Sequence, residues 1–190
     1  MSNYVITHLH SDFSNGTTNI DSITKYKKYI EKAKQNSMKA IAFTEHGNIF
    51  SWYNKYKACK ENDIKFIFGV EMYITKTLDK KTRDNYHCCL YARNNEGIKE
   101  LKKAISKANN RKDNHFYYVP RISIDEFLQL SENIIISTAC LGGILASEDE
   151  ELKQIYLQYL IQHKDRCFLE IQHHSDKSQF KHNQNLYKLH

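Results

Sequence analysis

The sequence is poor in residues that interrupt regular structure, with one proline and six glycines among 190 residues. It contains no flexible linker rich in Gly, Ser or Pro, no internal repeat and no low-complexity tract, which argues against several domains joined by linkers. Its 13 tyrosines and 9 phenylalanines argue against disorder, because so many large apolar side chains can offset the entropy lost on folding. We therefore expect one globular domain over residues 1–190.

Three further absences narrow the class of protein. No run approaches the roughly 20 consecutive apolar residues that a membrane span needs, and the first ten residues lack the pattern of an export signal. The five cysteines form no C-x-x-C pair, and their odd number disfavours a disulfide framework. We expect a soluble protein of the reducing cytoplasm, with no membrane among its partners.

Positive charge is in modest excess, with 28 Lys and Arg against 22 Asp and Glu and a net charge of +6. The densest basic cluster leads directly into aromatic and imidazole side chains, a pattern in which bases can stack beside charges that neutralise phosphates. The cluster comprises Lys99, Lys102, Lys103, Lys107, Arg111 and Lys112, followed by His115, Phe116, Tyr117 and Tyr118. A solvated helix face followed by a packed loop is the simpler interpretation, and contact with DNA is the alternative.

Short β-branched and aromatic runs alternate with segments of helical spacing. The predicted strands cover residues 4–8, 40–44, 66–74, 86–92, 134–137 and 167–171. Helices are predicted to begin at Asp21, at Asn95 and at Ser123, where Glu126 completes a capping box. This alternation predicts an α/β fold with a mainly parallel sheet and right-handed crossovers.

Metal-binding side chains recur at the ends of the predicted strands. His8 and His10 lie on one face of the first strand, where two imidazoles can chelate one ion. His46 follows the second strand. Glu71 lies in an apolar strand, and a buried carboxylate there needs a cation or hydrogen-bond donors. The alternative is that Glu71 faces solvent on an edge strand. Further clusters occur at His87 to Cys89, around Cys140, and from Glu170 to His174. Imidazole, carboxylate and thiolate together favour Zn²⁺, Mn²⁺ or Fe²⁺ over Mg²⁺.

These segments resemble successive motifs of the polymerase and histidinol phosphatase (PHP) superfamily. The matching segments are HLHSD at 8–12, TEHGN at 44–48, GVE at 69–71, the strand that begins at His87, and ACLGG at 139–143. More narrowly, the chain resembles the N-terminal PHP domain of the C-family replicative polymerases, the alpha subunits of bacterial DNA polymerase III. The phrases RDNYH, RKDNHFYYVPRIS, STACLGGIL and RCFLEIQHH look like versions found in phages and in genomes that carry prophages.

The resemblance implies a distorted seven-stranded β/α barrel of the TIM-like kind, whose rim holds up to three zinc, manganese or iron ions. By matching motif, it implies metal ligation by His8, His10, His46, Glu71, His87 and Cys140. It singles out no separate catalytic base. Glu45 is expected to orient the imidazole of His46, whereas His173 and His174 stay unassigned and Glu170 is at most a residue that lines the site.

Three features depart from the family pattern. Asn15 stands where relatives place a metal-binding Asp or His, and a neutral amide is a poorer ligand, so one metal is expected to be weak or absent. The last motif of the family is an Asp-x-His that follows a further strand, and no Asp-x-His follows the last predicted strand in residues 172–190, so we expect the front part of a longer polymerase and an incomplete barrel. His87 begins its strand, and parallel strands do not bring that end to the other ligands.

The resemblance implies a metal-dependent phosphoesterase that acts as a 3′–5′ exonuclease in DNA replication, within a DNA-directed DNA polymerase. The implied partners are DNA, other replisome subunits and the downstream polymerase domains of the same chain. Two alternatives stay open: a structural module without activity, and a free-standing phosphatase of the histidinol-phosphate type.

Overall fold

The computed structural model describes residues 4–16, 20–173 and 175–189. Within those ranges the helices are α1 Tyr26–Gln35, α2 Trp52–Glu61, α3 Asn95–Ala108, α4 Ile124–Leu128, α5 Glu150–Gln162 and α6 Lys177–Leu189. The strands are β1 Ala40–Phe43, β2 Lys65–Thr75, β3 Tyr86–Ala92, β4 Phe116–Tyr117, β5 Val119–Ser123, β6 Ile134–Ser137 and β7 Cys167–Phe168. The α/β class is therefore confirmed.

The strands form one mixed sheet around β2. One edge of β2 pairs with β3 in antiparallel orientation, and the other edge pairs in parallel with β1 and then with β5. β6 pairs antiparallel with β3 and parallel with β7, while β4 and β5 form an antiparallel hairpin. The expectation of a mainly parallel sheet is wrong, because residues 76–85 join β2 to β3 without the crossover helix that parallel neighbours require.

Closure into a barrel stays a prediction. Residues 4–8, predicted as a strand, make only an isolated bridge between Ile6 and Ile41, and β7 is two residues long. Across the described ranges, no backbone ladder joins β7 to this first segment. The two segments meet instead through side chains, because His8 Nδ1 lies 2.6 Å from Glu170 Oε1.

Two of the three predicted helix starts agree with the structure. Ser123 and Glu126 form the predicted capping box at the start of α4, and α3 begins at Asn95 with Asn94 as its cap. Asp21 does not cap a helix, because α1 begins only after Lys25, whose side chain makes no capping bond. The hairpin of β4 and β5 escaped prediction because its strands are short and contain the chain's one proline.

The apolar core packs the sheet against the helices and holds the strand ends in place. All four residues of β1 are buried, and α1 contributes Ile30 and Ala33 to the same cluster as Leu101 and Ile105 of α3. Among the described helices, none has the length and apolar content to cross a membrane. Strands β2 and β3 and the loops beside them carry the site described next.

Candidate metal centre

Glu71 lies at the centre of a cluster of imidazoles. Its side chain is 1% exposed, and it belongs to β2 at the register where the loop after β1 pairs with that strand. Its carboxylate oxygens lie within reach of four rings, at 3.4 Å from His8 Nε2, 3.0 Å from His10 Nε2, 3.1 Å from His46 Nδ1 and 2.9 Å from His87 Nε2. The alternative of a solvent-facing Glu71 is therefore wrong.

Two groups of three potential ligand atoms share this carboxylate. His8 and His10 complete one group, and His87 and Cys140 complete the other, with the atoms of each group within 4.8 Å of one another. Together with His46 and Gln172, these residues line one open cavity. The structure thus brings together all six residues that the motifs predicted, while metal ligation itself stays a prediction.

His87 reaches the cluster because β3 runs opposite to β2. The register pairs His87 with Tyr73 near the end of β2, so the start of β3 meets the end of its neighbour. The loop after β6 packs against the imidazole of His87. The backbone N–H of His87 donates to Gly142 O at 3.1 Å, and Cys140 Sγ lies 3.2 Å from His87 Nε2. The antiparallel pairing of β2 and β3 therefore brings His87 to the other ligands, which a parallel pairing would not do.

The groups alter one another's protonation. Burial by itself would raise the pKa of Glu71, but the surrounding imidazoles outweigh it and hold that pKa well below its usual range. Burial opposes protonation of His87, yet hydrogen bonding to Cys140 and Glu71 raises its pKa to about 9. Burial would likewise raise the pKa of Cys140, but His87 lowers it and favours the thiolate, the form that binds metals. These contacts therefore favour the ionised forms of Glu71 and Cys140, which are the forms that bind a divalent cation.

The spacing of the donor atoms fits a divalent cation. Two nitrogen atoms that each lie about 2.0–2.1 Å from one tetrahedral ion are separated by about 3.3 Å. The Nε2 atoms of His8 and His10 lie 3.1 Å apart, close to that separation. His46 Nδ1 is buried, makes no hydrogen bond within the described structure and lies 3.1 Å from Glu71 Oε2, so a cation bound there would give this atom the partner it lacks. Nitrogen, oxygen and sulfur donors in one cavity suit Zn²⁺, Mn²⁺ or Fe²⁺ better than Mg²⁺.

Glu45 has a different role from the predicted one. Its carboxylate accepts hydrogen bonds from the backbone N–H of Ser11 at 3.0 Å and from the hydroxyl groups of Ser11 and Ser14, and none from the His46 ring. Ser14 Oγ in turn lies 2.8 Å from Nδ1 of His10. The predicted orientation of His46 is therefore wrong: Glu45 supports His10 through Ser14, because the loop after His10 folds back over the end of β1.

The side chain of Asn15 forms hydrogen bonds with the backbone of Asp21 and Ser22 in the neighbouring loop and not with the imidazole cluster. Its Oδ1 accepts from the backbone N–H groups of Asp21 and Ser22 at 2.8 and 3.0 Å, and its Nδ2 donates to Ser22 O at 2.8 Å. This loop brings Asp21 Oδ2 to 3.4 Å from His46 Nε2. Sequence reasoning missed Asp21 at the site because its position before an apolar helical pattern resembles that of a cap.

The segment from Glu170 to His173 contributes the carboxylate of Glu170 and the amide of Gln172 to the site. Glu170 contacts His8, and Gln172 lines the cavity, whereas His173 is exposed. His174 lies outside the described residues. The sequence signal for Glu170 was its position just after a short apolar run. A polar residue there lies at the end of a strand, where the other site residues also lie.

The basic cluster fits a solvated helix face followed by a partly packed loop. The lysines of this cluster are exposed on and after α3, His115 is buried, and the guanidinium of Arg111 lies 3.9 Å from the ring centre of Phe116. Tyr118 is the exception, because it is 62% exposed with Arg83 stacked 3.8 Å from its ring centre. Contact with DNA at these residues stays a prediction.

Comparison with known proteins agrees with the motifs. The PHP domain family matches residues 7–174. DNA polymerase III subunit alpha of Borreliella burgdorferi is 37% identical over 189 residues, covering 94% of this chain and 16% of the relative, and that of Chlamydia trachomatis is 34% identical over 182 residues, covering 90% and 14%.

A solved amidohydrolase structure from Chromobacterium violaceum covers 85% of this chain and 50% of its own, at 16% identity and a TM-score of 0.39. The chain spans only about one-sixth of the length of the polymerase subunits it resembles. The family match, however, extends from the first histidine motif to the segment after β7. The chain therefore belongs to the PHP domain family.

Proposed function

We propose that this chain is the PHP domain of a replicative DNA polymerase and that its metal centre hydrolyses phosphodiester bonds at the 3′ end of DNA. The convergence of four imidazoles on the buried carboxylate of Glu71, with Cys140 beside them, carries the proposal. The names of the polymerase relatives support the replicative context. DNA, replisome subunits, the downstream polymerase domains and a cytoplasmic location belong to the same proposal.

The ligand assignments follow the two groups around Glu71. His8, His10 and Glu71 would hold one cation, and Glu71, His87 and Cys140 would hold a second. His46, with Asp21 3.4 Å from its Nε2, offers a third position. Zinc, manganese or iron bound in such positions supplies hydroxide at neutral pH and neutralises phosphate oxygens.

The residues of the chain prepare the site for this chemistry. Glu71 stays ionised because its pKa is lowered by the surrounding imidazoles despite its burial, so it can serve both ligand groups. Ser14 and Glu45 hold the ring of His10. The cavity opens to solvent beside His10 and His46, which are both partly exposed. The 3′ end of a DNA strand would enter from this side. The proposal includes closure of the barrel by a further strand along the edge of β7.

The test combines metal content with a nuclease assay on the full-length protein. We expect near-stoichiometric zinc, manganese or iron by elemental analysis, and release of nucleotides from the 3′ end of single-stranded DNA when Mn²⁺ or Zn²⁺ is present and deoxynucleoside triphosphates are absent. The variant with both His8→Ala and His10→Ala should lose the nuclease activity and at least one metal. A folded wild-type protein without metal or cleavage would favour the structural module. Cleavage of a phosphomonoester but not of DNA would favour the phosphatase alternative.

Gly142→Ala should disable the second ligand group alone. An added Cβ atom would lie 2.2 Å from Cε1 of His87, so either this imidazole or the loop that carries Cys140 must shift and the spacing of the two ligands changes. We expect affinity for a cation at this group to fall by about tenfold or more, measured as loss of the thiolate-to-cobalt charge-transfer band in a Co²⁺ titration. Gly16→Ala is the control, because no described atom lies within 4 Å of a Cβ there. An unchanged band in Gly142→Ala would contradict the assignment of His87 and Cys140.

A further inference from the structure

We infer that Glu170 is a positioning residue of this centre, whose carboxylate accepts the Nδ1–H of His8 and so directs Nε2 of that ring toward Glu71 and His10. The inference rests on the proposed metal centre, since it assigns a role in preparing one of its ligands. The distance between His8 Nδ1 and Glu170 Oε1 is 2.6 Å. Both side chains are largely buried, so little water competes for this bond.

The carboxylate of Glu170 is itself held from both sides. Ser137 Oγ–H donates to Oε2 at 2.6 Å, and Gln172 Nε2 donates to Oε1 at 2.8 Å. The backbone N–H of Glu170 donates to Thr138 Oγ1 at 2.9 Å. These contacts attach the acceptor to the end of β6 and leave it one orientation toward His8.

The hydrogen bond selects one tautomer of His8. A neutral imidazole carries one proton, and a proton on Nδ1 leaves the lone pair on Nε2 free to bind a cation. Nε2 lies 3.1 Å from His10 Nε2 and 3.4 Å from Glu71 Oε2, on the side of the cavity. The other tautomer would place the Nδ1 lone pair against a carboxylate oxygen, which is repulsive.

A metal ion between His8 and Glu170 does not explain the contact as well. Cys89 lies beside them and would complete a third group of ligand types. However, an N···O distance of 2.6 Å is too short for two ligands of one tetrahedral ion, which lie more than about 3 Å apart. A direct hydrogen bond is the consistent interpretation.

The hydrogen bond between Glu170 and His8 joins two segments that are not paired through their backbones. Glu170 follows β7, and His8 lies on the first segment, where no described backbone ladder joins the two. The ring of His8 therefore depends on a side chain for its placement across this seam. Partners that orient metal-binding histidines in this way typically contribute about 10–100-fold to metal affinity.

The test is a Co²⁺ titration of the purified full-length protein and of Glu170→Gln and Glu170→Ala, with the exposed Glu61→Gln as the matched control. We expect the cation at the His8 and His10 group to bind about tenfold more weakly in Glu170→Gln and up to about 100-fold more weakly in Glu170→Ala. The thiolate band of Cys140 should form as in the wild type, which a general loss of structure would not allow. Glu61→Gln should bind as the wild type does.

Two outcomes separate the failure of this inference from that of the proposed function. If wild-type protein binds no Co²⁺ and shows no thiolate band, the proposed metal centre is wrong and the role of Glu170 falls with it. If the wild type binds and shows the band, while Glu170→Gln and Glu170→Ala bind both cations as tightly, the positioning role alone is overturned. Equal loss at both groups would also overturn it, because that result indicates a structural role.

Discussion

Replacing Glu71 with glutamine should remove metal from both ligand groups at once. The carboxylate is the one member that the two groups share, and an amide binds divalent cations less strongly than a carboxylate. Elemental analysis should show loss of both ions. Phosphoesterase activity should fall by about 10³-fold or more, because bound cations contribute several kcal/mol of charge stabilisation in such reactions.

His87→Ala provides the comparison for Glu71→Gln. It removes a ligand from one group only, so the ion held by His8 and His10 should remain. In the metal-free protein, Glu71→Gln should also lower the pKa of His87 from about 9, because the carboxylate is one of the groups that raise it. Histidine NMR spectra measure that shift. A Glu71→Gln protein that keeps both ions would refute the central place of this carboxylate.

Lys55→Met should lower the free energy of unfolding by about 3–5 kcal/mol, because it leaves a buried carboxylate without its partner. Lys55 Nζ lies 2.6 Å from Glu45 Oε1, and both side chains are fully buried. The ammonium group also lies 5.0 Å from the ring centres of Phe13 and Phe43. Urea denaturation measures the loss, and weaker metal binding should accompany it because Glu45 supports His10 through Ser14.

Lys76→Met is the matched control for Lys55→Met. Lys76 forms ion pairs with Asp149 and Glu151 at the surface, where solvent screens the charges, so we expect little change in stability. Burial would raise the pKa of Glu45, but Lys55 and the serine hydroxyls lower it overall. The stabilisation from Glu45 is therefore present above the usual carboxyl range and lost as the pH falls through the lowered pKa. If Lys55→Met is as stable as Lys76→Met, the buried pair does not hold this loop.

Strands with strong local signals were predicted well, whereas the bounds of β7 and of the first segment were not. The bounds of β3 and β6 agree with prediction because each consists mostly of apolar or aromatic residues. In contrast, β7 is shorter than predicted, and residues 4–8 form one bridge instead of a strand. Pairing with distant neighbours decides those lengths, and a local pattern does not contain that information.

The sequence by itself identified six of the seven residues that line the cavity, because each of the six belongs to a short motif whose residue types and spacing are local. Only the tertiary structure decided how they meet. The reversed direction of β3 brings His87 to Glu71, and the bond between His8 and Glu170 joins residues 162 positions apart. The physical reason is that strand direction and side-chain hydrogen bonds depend on partners far along the chain, which no local window of sequence contains.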